Sequence, residues 1–209
     1  EVAEGRRGFG GIRWAIDHGE TLQKPTLQRI KALGGGMAMQ ARMAYGGEYF
    51  LERYGEEATR RAPPLRDVID AGLPLGLGSD ATRVASYNPW PAIYWLITGK
   101  TVGGLQLAEE ENRLTREEAL GLYTKGSAWI SKEEGVKGTL EKGMYADFAL
   151  LDRDYFSIPE EEIRDLEAVL TVVDAKVVYA GGSYSDLNPD IPVVIPEWSP
   201  VKYYEGYQK

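Results

Sequence analysis

Three apolar runs in the first eighty residues, each separated from the next by a helical pattern, restrict what this chain can fold into. They are IRWAID (12–17), GGMAMQ (35–40) and LPLGLGSD (73–80). Between the first two, Pro25 suits the first turn of a helix over 25–33. Leu27, Ile30 and Leu33 would share one face of it, and Gly34 can cap its end. PPLRDVIDAG (63–72) repeats the form, with proline at its start and glycine at its end. Parallel strands need a helical crossover, so this order predicts parallel α/β structure. Each run leads into a polar side chain: His18, Gln40 and Asp80. In a (β/α) barrel the carboxyl ends of the strands supply the site, although three strands cannot close a barrel of eight.

The polar, Tyr-rich stretch 45–61 reads as a long insertion or an exposed helix. Its Tyr45, Tyr49, Phe50 and Tyr54 either line an apolar pocket or pack a helix. WPAIYWLIT (90–98) reads as a packed aromatic helix, and Thr115 with Glu118 forms a capping-box pattern ahead of a helix reaching Ile130. After Gly135 the composition changes. YADFALLD (145–152), AVLTVVD (168–174) and AKVVYAGG (175–182), rich in Val, Tyr and Phe, read as strands. PEEEIRDLE (159–167) reads as a short helix between two of them, and the Pro-rich tail from Asn188 is expected to drape over a surface.

Acidic residues outnumber basic ones by 32 to 24, the wrong sign for a nucleic-acid partner. The absence of cysteine removes disulfides, thiolate metal sites and cysteine nucleophiles. No apolar run approaches the ~18 residues that a membrane span needs. ITGKTVGG (97–104) fails as a phosphate loop, because Tyr94 stands where the first glycine belongs. The opening EVAEGRRGFGG has neither an initiator Met nor a signal or transit pattern. The chain is therefore expected to be a section of a longer product.

Each candidate side chain has two readings at this point. His18, the single histidine, is a structural or surface residue, or a metal ligand with Asp17 and Glu20 close by as supporting acids. Asp80 is a turn or cap residue, or a carboxylate that binds metal or moves a proton. Arg83 is a solvated loop residue, or a clamp for an anionic substrate group.

Three stretches together resemble one family: IDHGE (16–20), GLGSDATR (76–83) and GTLEKGMYADFALLDRDYF (138–156). Their order and separations are similar to the C-terminal part of the metal-dependent amidohydrolase superfamily, in its amidohydrolase 3 (YtcJ-like) branch, which includes N-substituted formamide deformylases. ALGLYTKGSAW (119–129) and TVVDAKVVYAGG (171–182) extend the resemblance, with Ala175 where glycine is usual. The strongest marker is G-x-L-x-x-G-x-x-A-D, met by Gly138, Leu140, Gly143, Ala146 and Asp147, where Asp147 is expected to serve the turn and not the chemistry.

The resemblance implies an α/β fold: strands six to eight of a (β/α)8 TIM-like barrel, over 1–134, plus strands of a small β-sandwich over 135–187, then the tail 188–209. It implies that His18 is the sixth-strand metal ligand. It also implies that Asp80 is the eighth-strand aspartate, which binds metal and accepts a proton as water attacks the substrate carbonyl. Arg83 is the expected substrate-binding residue. The cofactor implied is a divalent metal, zinc, as one or two ions. The family's early H-x-H pair, strand-four ligand and strand-five histidine have no counterpart in a chain with one histidine. The chain is thus expected to work with the N-terminal part of the same enzyme and to be inactive alone. The whole would hydrolyse an amide or other non-peptide C–N bond of a small molecule in the cytoplasm, with a homo-oligomer as a further way to cover an open sheet. The competing expectation is a non-catalytic remnant or assembly module without a working metal site.

Overall fold

The structure is a computed structural model that describes residues 11–81 and 85–190. These divide between Thr139 and Leu140 into two compact units.

The first unit is built on a parallel sheet of strands β1 (Ala15–Asp17), β2 (Gly36–Gln40) and β3 (Leu75–Gly78), in the order β1-β2-β3. Asp17 pairs with Ala38, and Gln40 with Gly78, so the three carboxyl ends face the same edge, with β1 ending two residues short of the other two. Met37 and Met39 of β2 and Leu75 and Leu77 of β3 are buried. These four share one face of the sheet, and Gly36 and Gly76 are buried on the other, as a parallel sheet under helices requires.

Helix α1 (Lys24–Ala32) has Pro25 in its first turn and turns Leu27 and Ile30 inward. Gly34 then takes the left-handed conformation that ends it (φ 74°). Helix α2 (Met43–Arg60) occupies the stretch where an insertion or an exposed helix was expected, and it is broken at Gly55 (φ 81°). Helix α3 (Leu65–Asp70) leads back to β3. Helix α4 (Pro89–Thr98) is capped by the Asn88 side chain and ends at Gly99, so the glycine run at 97–104 closes a helix. The Thr115–Glu118 capping box opens α5 (Arg116–Gly121).

The helix expected to reach Ile130 changes type partway. A π-helical turn, Leu122–Gly126, separates α5 from α6 (Ser127–Ile130). The wider turn lays Gly126 against β3, where any Cβ would collide with the Leu75 carbonyl. Ser127 Oγ donates to the Leu77 carbonyl at 2.8 Å and fixes the level of this helix on the strand.

The second unit carries an antiparallel sheet of β4 (Phe148–Leu151), β5 (Ala168–Val173) and β6 (Lys176–Ala180), in that order. A two-residue turn, Asp174–Ala175, joins β5 to β6 with both residues left-handed (φ 51° and 58°). The Asp147 carboxylate accepts a hydrogen bond from the Asp174 backbone N–H at 2.8 Å. Asp147 therefore has a structural task, as expected, but at the β5–β6 turn and not only at the turn of its own motif. A 3-10 helix, Glu160–Asp165, buries Ile163 fully. Most of the Pro-rich tail lies outside the described residues.

Candidate functional site

His18 directly follows β1, and Asp80 lies two residues beyond β3. Both are left-handed, with φ of 67° and 61°. That conformation costs a non-glycine residue about 1–2 kcal/mol, and such residues concentrate at functional sites. Gly19 continues the left-handed turn after His18 (φ 83°), and a Cβ there would press to 2.8 Å from Met37 Cε. The β1 end is thus folded tightly back over β2.

Gln40, at the end of the middle strand, ties this corner down. The His18 backbone N–H donates to the Ala38 carbonyl at 2.9 Å and to Gln40 Oε1 at 3.2 Å. With its backbone so held, the His18 imidazole leaves Nδ1 buried without a hydrogen-bond partner among the described residues. A buried polar atom in that state is costly unless a ligand satisfies it. It is the feature of this corner that fits a metal ion.

Asp80 has a different neighbour. Arg42, two residues past Gln40, sets its Nε 3.4 Å from Asp80 Oδ2 and its Nη1 3.7 Å from Glu20 Oε1. One guanidinium therefore lies between carboxylates from the β1 and β3 ends. Glu20 was expected only as a supporting acid of His18, and Arg42 was not singled out. The signal for Arg42 was its position just past the end of the middle strand, which gains meaning only once the strand order is known.

Among the described residues no group of three or more His, Asp or Glu side chains could hold a metal ion. His18 and Asp80 make two candidate ligands, and a catalytic zinc is held by about three protein ligands. Arg83 lies outside the described residues. Tyr123, in the π-helical turn packed on β3, has a buried hydroxyl without a hydrogen-bond partner among them. Burial, reinforced by Tyr45, pushes that phenol well above its ordinary range. A separate groove of about 340 Å³ lies between α1 and α3, lined by residues that include Lys24, Lys31, Asp67 and Asp70, and contains none of the strand-end residues.

The model of the amidohydrolase family matches residues 1–179. An N-substituted formamide deformylase of Arthrobacter pascens is 30% identical over 166 residues, which span 78% of this chain and 30% of that protein. Among solved structures, an uncharacterized metal-dependent hydrolase from Pyrococcus horikoshii is similar with a TM-score of 0.61 and 26% identity, covering 70% of this chain and 30% of that one. Atrazine chlorohydrolase TrzN from Arthrobacter aurescens, solved with zinc, has a TM-score of 0.59 at 20% identity over 85% of this chain and 37% of its own, a likeness of fold. The chain thus spans about 30% of the length of the curated relatives it matches.

Proposed function

This chain belongs to the amidohydrolase family, and we propose that it is the C-terminal section of a metal-dependent hydrolase that cleaves an amide or other non-peptide C–N bond of a small molecule. The observation that carries the proposal is the pair of left-handed residues, His18 and Asp80, at the carboxyl ends of parallel strands. In this reading β1, β2 and β3 are strands six, seven and eight of a TIM-like barrel formed by residues 1–134. Residues 135–187 supply strands of a β-sandwich, and 188–209 form a covering tail.

His18 and Asp80 hold a divalent metal, zinc, as one or two ions, with the other ligands coming from the N-terminal part of the same enzyme. The unpartnered His18 Nδ1 supports this assignment. The metal, when bound, supplies the Lewis acidity that makes water nucleophilic near neutral pH. The Asp80 carboxylate accepts the proton of the attacking water and passes it to the leaving nitrogen. Arg83 binds an anionic part of the substrate. The complete enzyme acts in the cytoplasm, and a homo-oligomer is a second way to cover the open sheet. The 209-residue chain alone is inactive.

Replacing Asp80 by Asn in the complete enzyme tests the proton route. The expected result is a fall in kcat of at least about a hundredfold with the fold retained. Unchanged turnover removes Asp80 from the chemistry. One observation favours a second reading, a non-catalytic remnant: the described residues offer two metal ligands, and Arg42 already neighbours one of them. That reading expects no metal in the purified assembly and an effect of Asp80→Asn on stability alone.

A further inference from the structure

Only the middle strand of three can send one side chain towards both neighbours, and Arg42 leaves the end of that strand. It stands two residues after Gln40, in the αR conformation (φ −60°), as the chain turns into α2. Its Nε faces Asp80, and its Nη1 faces Glu20, which lies two residues after His18. We infer that Arg42 is a positioning residue: its guanidinium bridges Glu20 and Asp80 and thereby sets the spacing between the loop that carries His18 and the loop that carries Asp80. The inference rests on the metal-hydrolase reading of this site.

Three observations support a geometric role. The Arg42 side chain is 41% exposed and its two contacts are 3.4 and 3.7 Å, ion-pair distances beyond good hydrogen bonds. Such pairs add little to stability in water, so the arginine is not there chiefly to hold the fold together. The loops it joins belong to strands that are not neighbours in the sheet, so β1 and β3 share no direct backbone bonds, and beyond the strand ends their ladders to β2 no longer set the spacing of the loops. Finally, both residues whose spacing is at issue are left-handed, and nothing in a strand's own preference holds a His or Asp there. A planar fork with several fixed donors can hold two carboxylates at a set separation, and an ammonium on a flexible stem cannot. Arg42 Nε engages Oδ2 of Asp80, which leaves Oδ1 without a described ion-pair partner.

Charge alone makes the opposite prediction. A guanidinium beside two carboxylates repels an incoming cation, so removing it would tighten metal binding. Geometry predicts weaker binding, because partners that orient metal ligands typically contribute about 10–100-fold to affinity or activity.

The test is cobalt titration of the complete enzyme after zinc removal, with the visible d–d spectrum as readout, for the parent and for Arg42→Met and Arg42→Lys. The expected result is a 10–100-fold loss of cobalt affinity in Arg42→Met, a changed band shape, no restoration by Arg42→Lys, and a fall in kcat with KM retained. Unchanged or tighter cobalt binding in Arg42→Met overturns the inference. So does full rescue by Arg42→Lys, which would make the role one of charge. A rise in KM alone, with the spectrum preserved, would make Arg42 a substrate contact instead and equally overturn it. Should Arg42→Met fail to fold, Glu20→Gln serves: it removes one anchor of the bridge and must shift the spectrum in the same direction, and an unaltered spectrum counts against the bridge. A parent enzyme that takes up no cobalt defeats the metal-hydrolase reading itself, a result distinct from failure of the bridge.

Discussion

Backbone conformation and side-chain identity disagree at four informative residues. His18 and Asp80 are left-handed where the site is proposed, whereas Asp174 and Ala175 are left-handed in a hairpin turn with a plain structural task. Asp tolerates this region through its short polar side chain, but Ala gains nothing from it. Ala175→Gly should therefore remove a cost of about 1–2 kcal/mol and add back about 0.5–1 kcal/mol of lost backbone freedom. The expected net gain is up to about 1.5 kcal/mol, seen as a later denaturant midpoint with an unchanged slope, and an earlier midpoint would refute it. Ala175 was recognisable in the sequence as a departure from a glycine position. The left-handed His18 and Asp80 were not, because neither residue type announces that conformation.

At the scale of elements, the segment before β1 is tied to the loop that follows α6. The Arg13 guanidinium donates to Glu134 at 2.7 and 2.5 Å and to the Trp129 carbonyl at 2.6 Å, and it stacks 4.6 Å from the Trp129 ring centroid. The hydrogen bonds from Arg13 hold the Glu134 carboxyl down at about 2, below its ordinary 4.5. A depressed carboxyl stabilises the fold fully above the unfolded value and loses that contribution as pH falls towards the folded one. The stability difference between the parent and Glu134→Gln should therefore be largest above pH 4.5, shrink between 4.5 and 2, and vanish near 2. Thermal melts across that range check it, and a difference that stays constant with pH would exclude the pair as its source. Most elements were legible from patterns that local physics fixes: Pro25 and Gly34 bounding α1, the Thr115–Glu118 box opening α5, and the Val-rich strands. The π-helical turn at Leu122–Gly126 was not legible, because one widened turn barely disturbs a 3.6-residue period. Its cause is tertiary, the approach of Gly126 to the Leu75 carbonyl.

For the whole molecule, strand count and ligand count point the same way. Among the described residues β1 and β3 each pair on one side only, and a parallel sheet with two open edges invites pairing with other chain segments. In the second unit Phe148 and Leu150, on one face of β4, are 40% and 41% exposed. The Arg42 bridge became visible only at this scale, since it depends on β2 lying between β1 and β3, an order that strand patterns do not encode. If the proposed function is right, the open edges and the missing ligands have a common remedy, the N-terminal part of the enzyme. Native mass spectrometry of the purified active protein should then detect this chain joined to, or continuous with, that part, together with one or two zinc-mass increments. Stripping the metal should abolish hydrolysis and leave the assembly intact, because His18 and Asp80 lie beyond the strand ends and the buried side chains of the sheet, Met37, Met39, Leu75 and Leu77, do not include them. A metal-free species at 23.2 kDa that is monomeric and melts cooperatively would contradict this account. It would mean that the exposed edges are tolerated, and the remnant reading of the chain would then stand in place of the enzymatic one.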